Sequence, residues 1–142
     1  MALQFTKKRA FSVVLLTFAA SASGTTEQAR TALRNYGLVQ CLDAAYTQAP
    51  GFKEDLAAAS LTYHFMGSGS HIIEQNEDTL DVTHDPYRAT ADFVTIAAAR
   101  HGAQTKVQGG KSSLITCMTD YKSAEYAAFI ASQDTYIRHD ND

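Results

Sequence analysis

The chain has 142 residues, 45% of them hydrophobic, with a formal net charge of −3 and two cysteines. That is one domain's worth of sequence, enough to bury a core. A net-acidic chain without a basic stripe argues against nucleic acid or an anionic membrane as partner, and suits a basic protein instead.

At the N-terminus Lys7-Lys8-Arg9 precedes an apolar run from Ala10 to Ala20, followed by the small-x-small triplet Ala20-Ser21-Ala22. This is the three-part pattern of a secretory signal peptide, and the run is shorter than the ~18 residues a membrane span needs. Residues 1–22 are therefore expected to be cleaved, leaving a domain of residues 23–142 in an oxidising compartment, a bacterial periplasm. Removing 22 of the 142 residues leaves 120, and the three cations lost take the formal charge from −3 to −6. Cys41 and Cys117 both survive, and in such a compartment an even count is read first as a disulfide. Closing a loop of roughly 75 residues would restrict the unfolded chain by about 4–5 kcal/mol in the chain-entropy model.

The expected fold is all-α, a compact bundle of four to five helices with one interhelical disulfide. A first helix is expected from about Thr26 to Gln48, with Thr25 as N-cap and Gln28 closing a capping box. Leu33, Gly37, Leu38, Cys41, Leu42, Ala44 and Ala45 fill one half of its surface. Tyr36 and Val39 fall on the opposite side, so either this helix is central or the second strip is a dimer interface. Pro50-Gly51 opens a second helix with Phe52, Leu56, Ala59, Tyr63 and Met66 on one side, ended by Gly67-Ser68-Gly69-Ser70. Residues 71–84 are ambiguous, with a short helix around Ile72 to Asp78 as the reading.

Asp85-Pro86 is a strong helix start, and the third helix should reach His101 with Ala89, Phe93, Ile96 and Ala97 inward and Gly102 as its stop. Residues 103–111 read as an exposed polar loop. A fourth helix beginning near Ser112 or Ser113 carries Leu114, Cys117, Met118 and Tyr121 at i, i+3, i+4, i+7. Ser123 caps a last helix with Tyr126, Phe129 and Ile130 inward, and Arg138 to Asp142 read as a solvated tail.

Few residues suggest catalysis. His64, His71, His84, His101 and His139 form no H-x-x-x-H pair, and neither cysteine has a ligand partner at zinc spacing, so they read as ordinary surface histidines. A cysteine on an apolar stripe and oxidised cannot serve as a nucleophile. No phosphate loop and no cofactor motif is present, and Glu74, Glu77 and Asp78 read as a solvated face. The chain is therefore expected to be a binding protein and not an enzyme. A periplasmic enzyme or small-ligand carrier is the rival.

Two segments carry a resemblance. Asn35-Tyr36-Gly37-Leu38-Val39-Gln40-Cys41-Leu42 resembles the first-helix pattern Asn-aromatic-small-Leu-x-x-Cys-aliphatic of the type VI secretion amidase immunity proteins, the group that neutralises the fourth class of amidase effectors. Cys117, Met118, Tyr121 and Ser123 are similar to the same family's fourth-helix pattern, and Asp55 to Tyr63 to its Ala-rich second helix. Thr116, Lys122 and Tyr126 depart from that pattern, and residues 67–85 form a longer connection than it has. The resemblance implies a periplasmic inhibitor that occludes the cleft of a cognate secreted peptidoglycan amidase. It also implies a homodimer and a loop that enters the active site. On that reading Tyr36 and Val39 would form the dimer interface, and Gly102, Gln104, Lys106, Gln108, Gly109, Gly110 and Lys111 the partner-binding loop.

Overall fold

The computed structural model describes residues 21–102 and 110–138, and it is mostly helical. Five α-helices run in order: α1 Ser21–Ala45, α2 Pro50–Tyr63, α3 Pro86–His101, α4 Ser113–Tyr121 and α5 Ala124–Ser132. Between α2 and α3 lies a small antiparallel hairpin of β1 Glu74–Gln75 and β2 Val82–His84, and a 3-10 turn Asp134–Tyr136 follows α5. Among the described residues no helix is long and apolar enough to cross a membrane.

Local chemistry explains where three helices begin. Asp85 accepts from the amides of Tyr87 at 2.9 Å and Arg88 at 3.1 Å, while Pro86 takes the first helical position, where a missing N–H costs nothing. Ser112 caps α4 through the Ile115 amide at 3.3 Å, and Ser123 caps α5 through the Tyr126 amide at 3.0 Å. α2 opens on Pro50 without any side-chain cap.

α1 is the axis of the bundle and packs against α2, α3, α4 and α5. A helix surrounded in this way must bury more than one stripe. Its residues Leu33 and Cys41 join Tyr87 and Val94 of α3, Cys117 of α4, and Tyr126 and Ile130 of α5 in one core cluster. The aromatic side of that core is a stack, with Phe93 4.4 Å from Phe129 and 5.6 Å from Tyr126 between ring centroids. A bidentate ion pair from Arg30 to Asp134 ties α1 to the 3-10 turn, with Nε to Oδ1 at 2.9 Å.

Several boundaries differ from expectation. Thr25 lies inside α1 and not at its start, and that helix stops at Ala45, short of Gln48. α2 ends at Tyr63, before the glycine-serine run, and Met66 is exposed beyond it. Residues 71–84 form a hairpin, not a short helix, paired Glu74 with His84 and Gln75 with Val82. Its entry is pinned to the far end of the chain: the Ile72 amide donates to the Tyr136 carbonyl and the Arg138 amide to the Ser70 carbonyl, each at 2.7 Å. Its turn is closed by Asn76, whose side chain accepts from the amides of Asp78 and Thr79 at 2.9 Å. In α3 the buried stripe is Tyr87, Thr90, Val94 and Ala97, rotated from the expected one, so Ile96 is exposed. Leu114 of α4 is also exposed.

Candidate functional site

The two segments that carry the resemblance meet face to face. Cys41 of α1 and Cys117 of α4 form the disulfide, with Cα atoms 5.8 Å apart and both residues buried. One turn earlier the Tyr121 hydroxyl donates to Asn35 Oδ1 at 2.9 Å, and the Arg34 guanidinium lies 5.2 Å above the same tyrosine ring. Gly37 completes the seam. A Cβ built there would overlap the Tyr126 hydroxyl and lie 2.7 Å from Thr90 Cγ2, so α1 is approached closely only because this position lacks a side chain. The Tyr126 hydroxyl instead donates to the Arg34 carbonyl at 3.0 Å, and burial drives its pKa above the usual tyrosine range.

Val39 lies in the interior of the chain, and the half-buried Tyr36 packs against the same core. Val39 is buried, and the Tyr36 ring packs edge-on to Tyr87 at 5.3 Å and against His64 at 5.7 Å. Burial raises the pKa of Tyr36 and lowers that of His64. Cover for the strip opposite the Cys41 stripe thus comes from the same chain, at the end of α2 and the start of α3, so Val39 presents no exposed strip to a second copy and Tyr36 only a half-buried one. Of the expected partner-binding loop, Gln104, Lys106, Gln108 and Gly109 lie outside the described residues. Gly102 ends α3 and faces the Lys111 side chain, while Gly110 and Lys111 are exposed. These loop ends stand beside a cavity of about 270 Å³ floored by the disulfide and walled by Ala44, Ala98 and Thr116.

The histidines are not all on the surface. His71 is completely buried and neither ring nitrogen has a hydrogen-bond partner, which corrects its assignment as an ordinary surface residue. Burial pushes its pKa down to about 4, against a smaller opposing pull from Asp134. His84 is half-buried, hydrogen-bonded through Nε2 to Gln133 Oε1 at 2.8 Å and stacked 3.9 Å from Tyr136. His101 Nδ1 pairs with Asp120 Oδ1 at 2.9 Å, leaving the buried Asp120 Oδ2 without a partner. His139 lies outside the described residues. Among the described residues no three His, Cys, Asp or Glu side chains converge on a metal-sized site.

Sequence reasoning missed Tyr87 as well. This residue is buried, its hydroxyl donates to the His71 carbonyl at 3.2 Å, and its pKa is pushed up to about 12 by burial. Tyr87, Thr90, Val94 and Ala97 obey helical spacing as well as the expected stripe does, and that was the available signal. What these features define is a disulfide-stapled helical bundle with a small hairpin on one side. The chain matches no protein-family model, no curated protein and no solved structure.

Proposed function

We propose that this chain is an exported, non-enzymatic inhibitor that binds a secreted peptidoglycan amidase and occludes its active-site cleft. The observation that supports it is the seam between the two segments resembling the amidase immunity proteins. Asn35 meets Tyr121, and Cys41 is bonded to Cys117. Residues picked out by pattern alone would have little reason to pair in two places along one helix. The disulfide is compatible with an oxidising compartment, as a cleaved leader would require.

In this proposal the α3–α4 connection, from Gly102 to Lys111, is the element that enters the cleft, since a polar glycine-rich loop can reach into a groove without exposing apolar surface when alone. The protein acts as a homodimer, through a surface other than Tyr36 and Val39. The test is peptidoglycan cleavage by a secreted amidase of the same organism, measured with the mature protein at increasing ratios. Stoichiometric loss of activity is expected. Replacing Gln104 to Gly110 with a Gly-Ser linker should abolish it while the melting temperature holds. An amidase that stays fully active in excess wild-type protein overturns the assignment, and light scattering decides the dimer separately.

A further inference from the structure

The hairpin spends stability on exposure. Leu80 is the one described non-glycine residue with positive φ, 59°, and it leaves 70% of its surface in solvent. A leucine in the left-handed region is strained, and here no burial offsets that strain. The turn nevertheless holds it there with two backbone hydrogen bonds, Leu80 amide to Asn76 carbonyl at 2.9 Å and Asn76 amide to Asp81 carbonyl at 2.8 Å. Val82 is 56% exposed on the following strand, and it lines one cleft of about 400 Å³ with Ile72, Ile73 and the exposed Phe65. Gln75, Asp85 and Arg138 supply the polar part of that cleft.

Charge says what would cover it. From Glu54 to Tyr87 the chain has seven carboxylates and no lysine or arginine. Four of them, Glu74, Glu77, Asp78 and Asp81, stand exposed on the hairpin, and among the described residues none is ion-paired. Apolar side chains held outward on a hairpin that carries unpaired carboxylates are complementary to an apolar anchor flanked by basic residues, and Asp85 adds a carboxylate to the cleft lining beside Arg138.

We propose that the β1–β2 hairpin and Phe65 form a docking surface for a lysine- or arginine-rich segment of a partner protein, whose apolar or aromatic side chain enters the cleft beside Val82. This rests on the inhibitor function above only for the partner's identity, the amidase, and it adds a contact separate from the α3–α4 loop.

The mature protein is titrated with the amidase by calorimetry as wild type and as the double variant Leu80→Gly, Val82→Ser, which removes both anchors and relieves the strained φ. Binding about 10- to 100-fold weaker at an unchanged or higher melting temperature is expected. A second variant, Asp78→Asn with Asp81→Asn, touches only exposed carboxylates and should flatten the salt dependence of binding. If wild type inhibits the amidase and both variants bind as tightly, the hairpin proposal is overturned and the inhibitor function stands. If wild type fails to bind the amidase, the inhibitor function falls. The hairpin is then judged with the peptide acetyl-Lys-Lys-Phe-Lys-Lys-amide, followed by amide chemical shifts of labelled protein. Saturable shifts at residues 72–84, absent with a glutamate-flanked control peptide, support the surface, and their absence at millimolar peptide overturns it.

Discussion

Acidification should destabilise this protein through one side chain. His71 has no solvent exposure and no hydrogen-bond partner on either ring nitrogen, and its pKa falls from 6.5 to about 4 on folding. Charging the ring would place a cation in a pocket where only Asp134 offers compensation, so the folded state keeps the neutral form down to about pH 4. The unfolded chain binds the proton first. Stability from this group is therefore complete above pH 6.5, lost as pH falls from 6.5 towards 4, and level below that. A drop of about two and a half units at ~1.4 kcal/mol per unit amounts to about 3 kcal/mol, a substantial share of the ~5–15 kcal/mol that holds a domain folded.

The segment at risk is definable: His71 sits between the two backbone hydrogen bonds that clamp residues 70–72 to residues 136–138. Urea unfolding from pH 8 to pH 4 should show this loss in wild type and not in His71→Leu. The variant also deletes two buried unpartnered nitrogens, so it should match or exceed wild type at pH 7.5 and gain its advantage as the pH falls. Comparing the two proteins cancels the carboxylates common to both. Parallel curves across the whole range would refute the reasoning.

Reducing or replacing the bridge is expected to cost about 4–5 kcal/mol in the chain-entropy model, so the double variant Cys41→Ser, Cys117→Ser should melt far below wild type, while thiol titration of denatured wild type finds no free sulfhydryl. Gly37→Ala should cost about 1–3 kcal/mol by overpacking against Tyr126 and Thr90. Adding Tyr126→Phe removes the oxygen that the new methyl meets, and a double-mutant cycle by thermal melting should show the two losses to be less than additive. Asp85→Ala leaves the Tyr87 and Arg88 amides uncapped and should cost about 1 kcal/mol, read from chemical denaturation, with Asp85→Asn recovering most of it.

Much of the fold was legible because its signals are local. Asp85 before Pro86, and Ser112 and Ser123 before apolar runs, satisfy their own helix-start amides within three residues, so no distant partner need be known. The disulfide was legible for a different reason: two cysteines allow one pairing, and each sits on an apolar helical stripe. Helical periodicity identifies which residues share a face, but it leaves open how many faces find a neighbour. α1 found neighbours on several, so Val39 went inside and Tyr36 half inside, and only the packing of α2 and α3 could decide that. His71 and the hairpin were hidden for the same reason. Two backbone hydrogen bonds to residues more than sixty positions away hold them, and neither Ile72 nor Ser70 carries any mark of Tyr136 or Arg138. Composition supplied the acidic charge of residues 54–87, but only the tertiary structure put Leu80 and Val82 of that stretch on the surface, because a strained φ persists where surrounding contacts over-determine the turn.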